Sequence, residues 1–167
     1  MIFMFTGVNR HYVRVKKFLA VAEQSTPAFR THFVVVLVGS INAGVVQAIK
    51  YAQSLRPDRL IALSIVGSSA ESDELIAEWN KRFPGVDLEA PVDDYRNLTD
   101  KVLEEVERLD GMQPDDIVTV VIPEFVTSLR SQWLHNQSAL AIKARLLFRP
   151  NTVVTSIPIV IPDGAEV

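Results

Sequence analysis

Between Phe33 and Ile161 the hydrophobic pattern changes period repeatedly. "FVVVLVG" is a continuous β-branched run and predicts a strand buried on both faces. "AGVVQAIKYAQSL" places apolar residues on one helical face and is closed by "RPD". "RLIALSIVG" predicts a second strand. "ESDELIAEWNKRF" predicts a helix with acids in its first turn and Lys81-Arg82 in its last, as the helix dipole favours. "VDLEAPV" alternates as a short edge strand. "DDYRNLTDKVLEEVERL" predicts a helix with Leu98, Val102, Val106 and Leu109 on one face. "DIVTVVIPEFV" predicts a fourth strand that Pro123 ends, "NQSALAIKARLLF" a helix and "NTVVTSIPIVI" a fifth strand. Strands alternating with helices imply right-handed crossovers and a parallel sheet covered on both faces. The expected fold class is therefore α/β, a doubly wound five-stranded parallel sheet in the order 3-2-1-4-5. Ligands of such sheets sit outside the carboxyl ends of the strands, where strand order reverses.

Upstream the pattern differs. Val8, Tyr12, Val15, Leu19 and Ala22 recur at helical spacing, with Arg14 and Lys16-Lys17 largely off that stripe. Residues 8–24 thus read as an amphipathic helix and "QSTPAFRTH" as a linker. Residues 1–30 form a basic arm and residues 31–167 the globular domain. The arm is expected to lie outside the core, and either to pack its apolar stripe on a neighbouring chain or to be disordered.

Charge sharpens this division. The chain carries 17 Lys and Arg against 20 Asp and Glu. Residues 1–30 hold Arg10, Arg14, Lys16, Lys17 and Arg30 against Glu23 alone, a net +4, which leaves −7 on the remainder. An acidic globule repels phosphates, so nucleic acid is not an expected partner. No cysteine is present, which removes disulfides, thiol nucleophiles and Cys-based zinc sites. No apolar run reaches the roughly 20 residues of a membrane span. The order of "MIFMF" before "NRHYVRVKK" suits either the end of a span followed by positive charge on the cytoplasmic side or an ordinary N-terminal helix.

Candidate chemistry lies at the predicted strand ends. "GSINAG" after the first strand matches neither GxGxxG nor GxxxxGK[ST]. Ser40 and Asn42 there either cap the following helix or offer hydrogen bonds to a ligand. Glu124 falls at the carboxyl end of the fourth strand and can accept from a ribose or an adenine amino group. In "LHNQSALAIKARLLFRP", His135 stands before the helix, and Asn136 or Ser138 suits an N-cap whose neighbouring N–H groups can face an anion. Gln137 joins that group. Lys143, Arg145 and Arg149 read as a solvated face. Tyr95 and Arg96 open another helix beside Asp93 and Asp94 and are secondary ligand candidates. GxSxG, HExxH, CxxC and EF-hand patterns are absent, and three histidines are scattered over distant elements. The expectation is a binding domain without catalytic residues, cofactor or metal.

The core resembles the universal-stress-protein family, five-stranded α/β domains of which many bind ATP at the ends of strands one and four. "VVVLVGSINAGVVQAIKYAQSL", "PDDIVTVVIPEFV" and "LHNQSALAIKARLLFRPNTVVTSIP" resemble one branch more closely, the cytosolic C-terminal domain of APC-superfamily amino-acid and potassium permeases. "RHYVRVKKFLA" resembles the basic exit from such a permease's last span. Two departures separate the chain from the ATP-binding members: Val38 stands where those carry an Asp, and "PEFVTSLRSQWLHNQS" has no glycine where those carry a phosphate loop. The resemblance implies a regulatory domain at the inner face of the cell membrane, partnered by a transmembrane permease domain and paired as a homodimer. It implies an adenine nucleotide as ligand, cyclic di-AMP before ATP. A stand-alone nucleotide- or partner-binding module of the stress-protein type is the alternative.

Overall fold

The computed structural model describes residues 29–93, 98–110, 115–126 and 137–160. Along them the chain runs β1 (Thr31–Leu37), α1 (Ala43–Ser54), β2 (Arg59–Leu63), α2 (Ser69–Arg82), β3 (Asp87–Glu89), α3 (Leu98–Asp110), β4 (Asp116–Val126), α4 (Gln137–Leu146) and β5 (Thr152–Val160). All five strands are parallel, in the order β3-β2-β1-β4-β5. The alternating pattern of the sequence predicts this order, and the short "DLE" strand is at the edge as expected. Residues 1–28 of the arm lie outside the described residues.

Strand alternation sorts the core into two layers. Val34, Val36, Val38 and Val121 face α1 and α2, where Val45, Ala48, Ile49, Ala52 and Trp79 close over them. Phe33, Val35, Val118, Val120 and Ile122 face α3 and α4, which contribute Val102, Leu103, Val106, Ile142 and Leu146. Trp79 is fully buried, stacks on Phe83 and donates its indole N–H to the Val86 carbonyl at 2.7 Å. Ser68 caps α2 by accepting from the Glu71 N–H at 3.2 Å, while the Glu71 carboxylate reaches back to the Gly67 N–H at 3.0 Å. That reciprocal pair is legible in "SSAE" as a capping box.

Pro123 does not end β4, contrary to the sequence reading: the strand continues to Val126. The physical reason is directional. The Val118 N–H donates toward β5, to the Asn151 carbonyl at 3.0 Å. Successive residues of a strand point their N–H groups to alternate sides, so Pro123 turns its missing donor toward β1. There β1 has already stopped pairing, its last partners on β4 being Val36 and Val121. The β4–β5 ladder runs on alone to Val126 and Val160. By the same alternation Pro158 turns its missing donor to the outer edge of β5, where the sheet needs none.

Close approach explains one glycine. A Cβ on Gly44 would collide with the Ile159 side chain, whose Cγ1 lies 3.2 Å from that position. Gly44 thereby lets the first turn of α1 rest against the end of β5.

Candidate functional site

The order of strands reverses between β1 and β4. After β1 the chain crosses to one face through α1; after β4 it returns along the other face through α4. The two connections diverge at the carboxyl ends of β1 and β4, the position where doubly wound sheets receive ligands in a crevice.

One wall of the crevice is the turn Gly39–Asn42. The Val38 N–H still pairs with the Leu63 carbonyl at 2.8 Å, and the turn begins immediately after it. Asn42 has an extended backbone and caps α1, its Oδ1 accepting from the Val45 N–H at 3.1 Å. Its Nδ2 donates to the Ser40 carbonyl and to Ser40 Oγ, each at 3.0 Å. Asn42 is therefore occupied in shaping the turn, and its effect on a ligand would run through Ser40. Ser40 is exposed, and since its Oγ accepts from Asn42, its hydrogen remains available to donate. Among the described residues, nothing lies within 4 Å of a Cβ built on Gly39. Val38 is buried in the α1-side core, where a carboxylate could not stand without desolvation.

Glu124 lies at the carboxyl end of β4, on the α4 side of the sheet with Ile122. Its Oε1 pairs with the Lys143 ammonium and accepts a long hydrogen bond of 3.5 Å from Ser156 Oγ. So Ser40 and Asn42 are neighbours on one side of the crevice, while Glu124 stands across the sheet plane from them. Lys143 is the site residue that sequence reasoning misses. Nothing in its local pattern distinguishes it from a solvated cation, and only the packing of α4 brings it to Glu124.

Of Lys143, Arg145 and Arg149, only Arg145 keeps the solvated position expected, at 58% exposure, while Lys143 and Arg149 are mostly covered. Each is engaged by a carboxylate: Glu124, Asp100 and Glu107 respectively. The last two belong to α3, which packs beside α4 and brings its acids to these cations. Elsewhere on α3 the Lys101 ammonium is held above its ordinary range by the hydrogen bond to Glu104 and by the charge of Asp93. His135, Asn136, Tyr95 and Arg96 lie outside the described residues, and of Gln137 only the backbone, opening α4, is described. His32 is far from the crevice, at the amino end of β1, with Nε2 2.8 Å from Thr119 Oγ1 and its backbone N–H on the Asp58 carboxylate at 2.7 Å. No helix among the described residues is long and apolar enough to cross a membrane.

Comparison with known proteins adds a family. The chain is 29% identical over 163 residues to the potassium transporter KimA of Bacillus subtilis (strain 168), an alignment that covers 94% of this chain and 26% of that protein. It thus spans about a quarter of the length of this curated relative. Residues 30–159 match the family described as the KimA potassium transporter C-terminal domain. That match takes in every strand of the sheet up to Ile159 and the whole crevice, and the chain belongs to the KimA potassium transporter C-terminal domain family.

Proposed function

We propose that this chain is the cytoplasmic regulatory domain of a potassium transporter, and that it senses an adenine nucleotide, cyclic di-AMP in preference to ATP, at the crevice between β1 and β4. The observation that carries this reading is the open turn at Gly39–Ser40, set where the strand order reverses. The preference follows from what the crevice has and lacks. Close binding of a triphosphate calls for backbone N–H groups bared by glycine, and residues 123–138 contain none. Val38 offers no carboxylate to a ribose. Ser40 and Glu124, with the polar run His135-Asn136-Gln137 of the sequence, offer hydrogen bonds suited to base and sugar. A cyclic dinucleotide brings two phosphate charges, and an acidic globule tolerates these better than a triphosphate. Its two-fold symmetry suits a pair of copies of this chain. The domain performs no catalysis in this reading; its output is a change in contact with the transmembrane part of the transporter.

Calorimetry on the 167-residue chain tests the reading. Cyclic di-AMP is expected to bind at micromolar concentration and ATP at least tenfold more weakly. Ser40→Ala is expected to weaken cyclic di-AMP about five- to tenfold, the loss of one hydrogen bond of about 1 kcal/mol. Micromolar ATP binding with no cyclic di-AMP binding would overturn it.

A further inference from the structure

The α3–α4 face carries an apolar stripe that no described residue covers. Leu140, Leu147 and Phe148 are 68%, 76% and 86% exposed, the three highest values among the exposed large hydrophobic residues. They fall at positions i, i+7 and i+8, with exposed Ala144 between them, so they line one side of α4 and its last turn. The Leu147 N–H donates to the Lys143 carbonyl at 3.0 Å, which continues the helical geometry past Leu146. The stripe is about 10 Å long by helical rise. Since Ile142 and Leu146 are buried on the opposite side, α4 is apolar on both faces, the pattern of a helix meant to be covered twice.

We propose that this stripe is the docking surface for residues 8–24 of the same chain. Three observations select that occupant. Its apolar series, Val8, Tyr12, Val15, Leu19 and Ala22, is a second helical stripe of matching kind. Its tether ends in the right place. The Arg30 N–H is fixed to the Asp115 carbonyl at 2.9 Å, at the amino edge of β1 and β4. The chain leaving α4 arrives at that same edge, where Asn151 meets Val118, so Leu147 and Phe148 lie near the tether point. Residues 25–29 reach up to about 17 Å when extended. The straight path to the last turn of α4, about 10 Å across two strand spacings and about 10 Å up to the helix layer, is about 14 Å. Charge points the same way. The cations around the stripe are already engaged by Glu124, Asp100 and Glu107, so the face offers little to an anionic lipid surface. Residues 8–24 carry a net +3 onto a globule of −7.

The absence of cysteine makes the test clean. Three double variants of the 167-residue chain, Val15→Cys/Phe148→Cys, Leu19→Cys/Phe148→Cys and Ala22→Cys/Leu147→Cys, are oxidised and run without reductant. A Lys17→Cys/Phe148→Cys variant samples the arm's polar side as control. The expected result is a reducible, monomeric species of altered mobility from at least one of the three and none from the control. A second reading uses trypsin at Arg10, Arg14, Lys16 and Lys17. Leu140→Ser/Leu147→Ser/Phe148→Ser is expected to speed cleavage there about tenfold with the circular-dichroism spectrum unchanged. Cross-links only between two copies, no cross-link in any variant, or cleavage equally fast in the parent chain would each overturn the proposal.

Discussion

The two faces of the sheet are built by different means. On the α1–α2 face, small residues let the helices lie close: Ala48 and Ala52 are fully buried, and Gly44 touches down on Ile159. Trp79 fills the remaining volume and satisfies its one donor internally. On the α3–α4 face, Val102, Val106, Ile142 and Leu146 supply the buried layer, but the helices are also laced to each other by Arg145–Asp100 and Arg149–Glu107, and to the sheet by Lys143–Glu124. That face leaves Leu140, Leu147 and Phe148 outside. The first face is finished by its own packing. The second is held in register by charge while presenting apolar surface outward, which is what a face needs if it has a further segment to receive.

Unfolding experiments can break this contrast, beginning with the α1–α2 face. Trp79→Ala should cost about 3–5 kcal/mol in denaturant unfolding, because a large cavity opens and the Val86 carbonyl loses its donor. A cost under about 1 kcal/mol would mean that this face is not closed by packing. Next comes the buried end of the ion-pair set. Lys143→Met strands the largely buried Glu124 carboxylate, 12% exposed, and should cost about 1–3 kcal/mol. Adding Glu124→Gln should recover most of that loss, since removing both charges removes the desolvation problem. Failure of the double variant to recover would show that Glu124 draws its support from elsewhere.

The outer pairs should matter less. Arg149→Ala, which frees the half-exposed Glu107, should cost about 0.2–1 kcal/mol at low salt. The difference from the parent should vanish near 1 M salt, where the screening length is about 3 Å. A loss that persists in high salt would reassign Arg149 to packing through its aliphatic stem. Smallest of all, Phe148→Ser should change stability by within about 0.5 kcal/mol, since an exposed ring contributes little to the fold itself. A larger loss would sharpen the comparison in the other direction, by showing that the ring supports the α3–α4 layer itself and not the docked arm alone.

Much of the architecture was legible because its signals are local. Period-two and unbroken apolar runs mark β1, β2 and β4, and period-3.6 stripes mark α1 and α3. First-turn acids and last-turn cations mark α2, and Ser40 and Asn42 are offered as caps of α1. Strand order follows from strand–helix alternation by general rules of chain handedness. The site was legible only in outline. Its place at the carboxyl ends of β1 and β4 follows from fold class, but the roles of its residues do not. Asn42 spends both ends of its amide on its own turn, and Glu124 is claimed by Lys143.

What tertiary structure alone decided are meetings between residues far apart in the chain. Arg145 finds Asp100 across a separation of 45 residues, and Glu124 finds Ser156 across 32. Gly44 is needed only because Ile159 arrives from the last strand. Pro123 is tolerated inside β4 only because β1 has stopped beside it. A local pattern encodes which face of an element is apolar, since that depends on a residue and its near neighbours. Which charge meets which, and which backbone donor is never needed, depends on where other elements end, and that is set when the layers pack.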